Sequence, residues 1–315
     1  MVSHHYPHFF FAKNKFMFKY DIVLLTEDRF FEPLVETDYI KNILLDDKIL
    51  TAALVKQGLR VTRKSWSDPD FDWTSTQYAF FRTTWDYFVR FDEFQQWLNT
   101  TSKQTTFINS LELVKWNMDK HYFIDLNNNG IHTVETHFVE KGSNTSLTEI
   151  FQSLNIENCI VKPAVSGTAR HTYRLNKFNV SEHESIFKKL IGEEAMLLQP
   201  FQNEIIEKGE VAMMVIGGKF THAVLKKTKQ GDFRVQDDFG GTLHEYHPSK
   251  EEITFAENAV LACPELPLYA RVDILRDNNG ELAIMELEII EPEMWFRRNP
   301  EAADVLAVEI KRTRF

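Results

Sequence analysis

The chain has 315 residues, a formal net charge of −10 and 43% hydrophobic side chains, among them 26 Phe, 9 Tyr and 6 Trp. That much apolar surface offsets chain entropy, so an intrinsically disordered polypeptide is excluded, and the length fits two domains or one with a large subdomain. The negative charge argues against nucleic acid or an anionic membrane as a partner, Cys159 and Cys263 are too few for a disulfide scaffold, and no apolar run approaches the ~20 residues of a membrane helix, so a cytoplasmic setting is expected.

Residues 1–18 are aromatic and basic, with too short an apolar run for a signal-peptide core. They read as a disordered extension, with Met17 an alternative start. His4, His5 and His8, beside Pro7 and without a partner carboxylate, do not make a metal site. Tyr20 to Leu25 is a short apolar run, and Asp38 to Gln57 carries apolar residues at helical spacing before Gly58. With the strand starting at Leu59-Arg60-Val61 this is a β-α-β unit. A strand over Gln77 to Phe81, a helix over Phe88 to Leu98 and a strand over Thr106 to Ile108 extend an open α/β domain over residues 19–114.

In the first helix Asp47 falls in phase with the apolar Ile43, Leu50 and Leu54. It either stands at the rim of a cleft, reading a substrate amine, or caps a partner. Arg82 follows the strand ending at Phe81, at the carboxyl end where open α/β sheets place ligands, and its fork suits a substrate carboxylate. Trp85 reads as packing.

A helix from Met118 to Asn127 closes in Asn127-Asn128-Asn129-Gly130, and the pattern then turns strand-rich. A second domain is expected over residues 115–315, its small subdomain reaching about 198 and its large one starting at 199. No G-x-G-x-x-G or G-x-x-x-x-G-K string occurs, which disfavours Rossmann and P-loop nucleotide sites. Cys159 to Val161 runs as a buried strand into Lys162-Pro163 and a small loop, Ala164 to His171, where Ser166 and Gly167 leave backbone N–H groups free to surround phosphate. Another strand leads into Gln199-Pro200-Phe201, whose backbone could face an adenine. Glu210 after Gly209 is either a ribose ligand or a strand-start surface carboxylate, and Arg234 before Gly240-Gly241 is a loop cation. His244-Glu245-Tyr246-His247 lacks a zinc spacing and reads as loop.

The most informative stretch is Tyr269 to Leu275, Arg276 to Glu281 and Leu282 to Ile290. Alternation puts Arg271, Asp273, Glu286 and Glu288 on one face and Val272, Ile274, Met285, Leu287 and Ile289 on the other. Asn279-Gly280 predicts a two-residue type I′ hairpin, which sets Asp273 opposite Glu286 and Arg271 opposite Glu288. Like charges so placed repel. The set is either a solvated face balanced by Arg271 or a site for Mg²⁺, which prefers oxygen ligands and leaves room for water and phosphate.

The order Asn117-Met118-Asp119-Lys120, Val161-Lys162-Pro163, Gln199-Pro200-Phe201, Gly209-Glu210, Arg234 to Gly241, Arg271-Val272-Asp273 and Glu286-Leu287-Glu288 resembles the ATP-grasp superfamily from residue 20 onward. Within it, Arg82 to Tyr87 and Trp116 to Lys120 are most similar to bacterial relatives of glutathione synthetase and of the ligase that closes the cycloserine ring. The resemblance implies an α/β ATP-grasp fold behind an N-terminal open α/β domain. It also implies an ADP-forming carboxylate-amine ligase that makes an acyl phosphate on a small amino-acid-like or peptide-like substrate, ring closure, phosphoryl transfer and nucleotide sensing being the alternatives. By the same resemblance Lys120 and Lys162 bind nucleotide phosphates, Gln199 to Phe201 form the adenine hinge and Glu210 holds the ribose. Arg234 meets the γ-phosphate, Asp273, Glu286 and Glu288 hold two Mg²⁺ ions (or Mn²⁺), and Arg271 faces the reacting acyl group; homo-oligomers are frequent. Glu288 departs from the Asn of many members, which alters local charge.

Overall fold

The computed structural model describes residues 18–229 and 240–315; all but the last residue of the extension expected over 1–18, and Arg234, lie outside the described residues. The chain opens with β1 (Tyr20–Thr26), α1 (Asp28–Phe31), α2 (Asp38–Lys56), β2 (Val61–Ser65), β3 (Thr76–Thr83), α3 (Phe91–Thr101) and β4 (Thr106–Ile108). The four strands form a parallel sheet in the order β2-β1-β3-β4. α2 starts where the Thr37 hydroxyl accepts from the Ile40 N–H and stops at Gly58, whose φ of +76° suits a residue without Cβ. Alternate residues of β1 serve the two sheet faces. Ile22 and Leu24 pack with Leu50 and Leu54 of α2, whereas Val23 and Leu25 join a second cluster holding Trp66, Phe94 and Leu98. Each such fully buried side chain stabilises the fold by about 2 kcal/mol.

Two short helices follow, α4 (Leu111–Asn117) and α5 (Tyr122–Asn128), then β5 (His137–Val139), α6 (Leu147–Ser153), β6 (Asn158–Pro163), β7 (Tyr173–Asn176), α7 (Glu184–Glu193) and β8 (Met196–Pro200). These strands form an antiparallel sheet in the order β5-β8-β6-β7, with Val161, Leu175 and Leu198 packed against Ile150, Phe187 and Leu190. After α8 (Glu204–Glu207) come β9 (Glu210–Ile216), β10 (Lys219–Lys227), β11 (Thr242–Glu245), α9 (Lys250–Leu261), β12 (Tyr269–Arg276), β13 (Leu282–Glu288) and α10 (Pro300–Arg314). The third sheet runs β11-β10-β9-β12-β13 and packs Met213, Val215, Val272 and Ile274 on α5 and α9. α10 returns to the first sheet, where Leu306 and Ile310 join the cluster of α2. Among the described residues no helix is long and apolar enough to cross a membrane.

Three expectations need correction. The helix expected over Met118 to Asn127 begins only at Tyr122, because the chain ahead of it is held elsewhere: Asn117 Nδ2 donates to Leu287 O (2.8 Å), its Oδ1 accepts from Ile289 N (3.0 Å), and Lys120 N donates to Ala164 O (3.0 Å). The helix expected from Phe88 begins at Phe91. His244 and Glu245 are strand residues of β11, not loop.

Candidate active site

β12 and β13 pair antiparallel with Arg271 opposite Glu288 and Asp273 opposite Glu286, as alternation requires, but not by the expected turn. Arg276 pairs with Leu282, and the loop between them is longer than two residues. Asp277 O accepts from Gly280 N (2.8 Å), and Gly280 takes a φ of +83°. The resulting offset of one residue is absorbed by a bulge between Asp273 and Ile274, which leaves Met285 without an opposite residue. Met285 therefore joins Glu286 and Glu288 in lining a cavity of about 250 Å³ that lies among the three sheets.

Asp273, Glu286 and Glu288 each offer a carboxylate oxygen, and these atoms lie within 4.8 Å of one another. Three cations bond them and a fourth, Lys162, faces Glu286. Arg271 donates from Nε to Asp273 Oδ1 (2.9 Å) and from Nη2 to Asp273 Oδ2 (3.0 Å) and to Glu288. Lys226 of β10 bonds Asp273 Oδ2 at 2.7 Å and also Glu210 of β9. Lys120 lies 3.2 Å from Glu286 Oε1 and donates to Ser166 O at 2.7 Å. Lys162 completes the group at the cavity wall.

This arrangement divides the acids. Burial opposes ionisation of Asp273, but Arg271 and Lys226 outweigh it and hold the carboxyl at about 2. Burial likewise opposes Glu286, and Lys120 and Lys162 bring it below its ordinary value. Glu288 goes the other way, to about 7: burial raises it, and the neighbouring Glu286 and Asp273 offset much of the pull of Arg271. Burial raises Glu210 and lowers Lys162. An all-oxygen set of three acids, two of them ionised, fits a hard divalent cation such as Mg²⁺.

The small loop after β6 closes the cavity on one side. Ala164 O accepts from Lys120 N (3.0 Å), and Ser166 Oγ donates to Pro163 O (3.0 Å). Arg170 clamps the loop base through Glu194 Oε1 (2.9 Å) and Val165 O (2.9 Å). Gly167 meets the N-terminal sheet unit directly, since a Cβ there would stand 2.5 Å from Phe88 Cε1. Ser166, Gly167, Gln199 and Glu210 all line the cavity. Pro200 and Phe201 do not. The Phe201 N–H, expected to face a base, donates to Asn158 O (2.9 Å), and its ring lies under the Arg174 guanidinium (3.6 Å).

Arg82 and Asp47 stand together, away from the cavity lining. Neither lines the cavity; Arg82, only 2% exposed, donates from Nε to Asp47 Oδ1 (3.3 Å), and Arg63 Nε donates to Asp47 Oδ2 (2.7 Å). A carboxylate inside an apolar helix face needs such partners, as the second of the two readings of Asp47 requires, and the pair braces the N-terminal sheet. Arg82 Nη1 also reaches Pro292 O (3.4 Å), and Trp85, expected as packing, lines the cavity while its Nε1 donates to Glu291 O (2.8 Å). Lys226, Glu291, Glu293 and Trp295 escape sequence reasoning. Lys226 alone left a trace, a lysine in phase with Val224 inside a strand; the other three follow β13, where periodicity ends.

Residues 22–109 match the N-terminal domain of D-cycloserine synthetase DcsG, and residues 119–291 match the RimK-like ATP-grasp domain. The cycloserine biosynthesis protein DcsG of Streptomyces lavendulae is 26% identical over 256 residues, 75% of this chain and 83% of that protein. The crystal structure of D-cycloserine synthetase DcsG has a TM-score of 0.80 at 22% identity, covering 92% of this chain and 98% of that one. D-alanine–D-alanine ligase from Bacillus anthracis shares the fold at a TM-score of 0.62 and 15% identity, over 93% and 97% of the two chains. With the ATP-grasp match spanning more than half of its residues, the chain belongs to the RimK-like ATP-grasp family and is an ATP-grasp ligase.

Proposed function

We propose that the protein is an ADP-forming carboxylate-amine ligase acting on a small amino-acid-like molecule. The observation that carries this reading is the trio Asp273, Glu286 and Glu288, held together by Arg271, Lys226 and Lys120 at one wall of the cavity. In this reading Lys120, Lys162 and the backbone of Ser166 and Gly167 bind the phosphates of ATP. Gln199, Ile160 and Met285 surround the base, and Glu210 takes ribose hydroxyls through Oε2, its Oε1 facing Lys226. Arg234 is assigned to the γ-phosphate by resemblance alone.

Asp273, Glu286 and Glu288 would hold Mg²⁺, in two ions, with Mn²⁺ as a substitute; bound there, the metal neutralises charge between two anions that otherwise repel. A substrate carboxylate oxygen attacks the γ-phosphorus, the bond to the β-phosphate oxygen breaks and ADP leaves. The amine then attacks the acyl carbon of the acyl phosphate, inorganic phosphate leaves, and the surplus amine proton passes to water. Arg271 commits Nε and Nη2 to carboxylates, which leaves Nη1 for the oxyanion of that attack, a contribution of roughly 3 kcal/mol. ADP and phosphate released only when a carboxylate and an amine are both supplied, with an amide in the product, meets the proposal. A phosphorylated product without amide, or ATP binding without turnover, overturns it.

Ring closure within one molecule is the second reading, favoured by the match of residues 22–109 to the N-terminal domain of a cycloserine synthetase. Here a single compound supports ADP release and loses one water.

A further inference from the structure

Ala302, Ala303, Leu306, Ala307 and Ile310 turn one side of α10 into the core that it shares with α2. The opposite side reads Glu301, Val305, Val308 and Arg312, which at helical spacing form one outward stripe. Val305 is 47% exposed and Val308 51%. Further uncovered apolar groups flank the stripe. On one side Asp304 Oδ1 bonds Lys56 of α2 (3.1 Å), where the exposed Val55 precedes that lysine. On the other side is the turn between β9 and β10. A Cβ on Gly217 would stand 3.1 Å from the Glu309 carboxylate, and one on Gly218 would stand 3.2 Å from Leu266 and 4.0 Å from Leu261, both exposed. An apolar patch rimmed by charge is the form that a protein contact takes.

The order of charge along the stripe says what covers it. The acids Glu301 and Asp304 lie in the first half of α10, the bases Lys311 and Arg312 in the second. We propose that a second copy of this chain docks here, α10 lying antiparallel on its counterpart about a two-fold axis that passes between Val305 and Val308. In that register Val305 packs on Val308 of the partner subunit, Glu301 meets Arg312 of the partner subunit, and Asp304 comes within reach of Lys311 of the partner subunit. The axis makes each of these contacts twice. Arg312 engages Glu309 through Nε (3.0 Å) and Nη2, which leaves Nη1 for the crossing acid. A parallel copy would set acid on acid and base on base along the stripe, and antiparallel helix dipoles add to the preference. No residue of α10 lines the cavity, so the inference stands apart from the ligase reading.

Sedimentation equilibrium of the full chain tests it. The average mass should rise from 37.0 kDa towards twice that value between about 1 and about 100 µM, the range of a small interface. Glu301→Arg and Arg312→Glu, each alone, set like charges across the axis twice. Each should raise the dissociation constant by about tenfold or more with little change in melting temperature. Mixing the two variants should restore the dimer, because every crossing pair is then of opposite charge, and Val305→Asp should abolish it. A monomer at all these concentrations overturns the proposal, whether residues 1–17 or another protein then covers the stripe. So does a dimer that neither reversal weakens, or a pair of weakened variants that fail to associate when mixed.

Discussion

Lys226 Nζ lies 2.7 Å from Asp273 Oδ2, and both side chains are almost completely hidden from solvent. The same ammonium bonds Glu210, so one cation from β10 serves acids on β9 and β12. Lys226→Met should leave two buried acids without their shared counter-charge and cost about 3 kcal/mol in urea unfolding. Millimolar Mg²⁺ should return part of that loss by occupying the acidic trio. A midpoint equal to that of the unaltered protein in metal-free buffer would contradict the arrangement.

Glu286 is held ionised by Lys120 and Lys162 against the cost of burial. Glu286→Gln removes a hard anionic oxygen ligand while keeping the size of the side chain. ADP release should fall about a hundredfold. The Mg²⁺ concentration giving half-maximal rate should rise as well, as read from a metal titration at saturating ATP.

Glu27 follows β1 at the start of α1 and is 4% exposed; burial pushes its carboxyl up to about 7 although Arg29 Nε stands 2.5 Å away, and Asp86 and Asp28 add to the rise. A folded-state value above the unfolded one of 4.5 means that the protonated form is favoured by folding. The associated stability is complete below about pH 4.5 and is lost as pH rises through 7, by roughly 3 kcal/mol. Thermal unfolding of Glu27→Gln at pH 5 and pH 8 should show a smaller fall with pH than the parent protein. An equal fall in both proteins would refute the assignment.

A methyl group at Gly167 would press on the edge of the Phe88 ring. Gly167→Ala should therefore push the phosphate loop away from the N-terminal sheet unit and raise the KM for ATP several-fold with little change in melting temperature. Adding Phe88→Leu should relieve the crowding and restore much of the affinity. A double variant no better than Gly167→Ala alone would show that contact to be irrelevant.

How much of this was legible depends on where the determining forces act. α2 could be read almost to the residue, because its cap at Thr37, its apolar stripe and its stop at Gly58 are all local. The pairing of Asp273 with Glu286 was legible for a less secure reason. The tip forms a longer loop because Asp277 Oδ1 accepts from Asn279 N (2.9 Å) and Glu281 N (3.0 Å), and the bulge at Met285 cancels the resulting shift. The break between α4 and α5 was not legible, since it depends on Asn117 bonding β13 and on Lys120 N bonding Ala164 O, partners far away in sequence. The same holds for the Asp47 and Arg82 pair, where each residue taken singly looks like a ligand group. Residues just beyond Glu288 carry no periodic signal, so the part of the cavity lining that Glu291, Glu293 and Trp295 supply becomes visible only once the chain is folded.

The backbone just after β13 is gripped by four side chains, three of them from outside its own sheet. Asn109 Nδ2 donates to Ile289 O (2.8 Å), Tyr269 Oη to Ile290 O (2.6 Å), Trp85 Nε1 to Glu291 O (2.8 Å) and Arg82 Nη1 to Pro292 O (3.4 Å). Four successive carbonyls are thus anchored, three of them by residues from the first 109 positions. A chimera that exchanges those positions for another ligase's while keeping this chain's remainder inherits mismatched anchors in a segment that lines the cavity. Successful crossovers would have to transplant the segment after β13 together with the front of the chain.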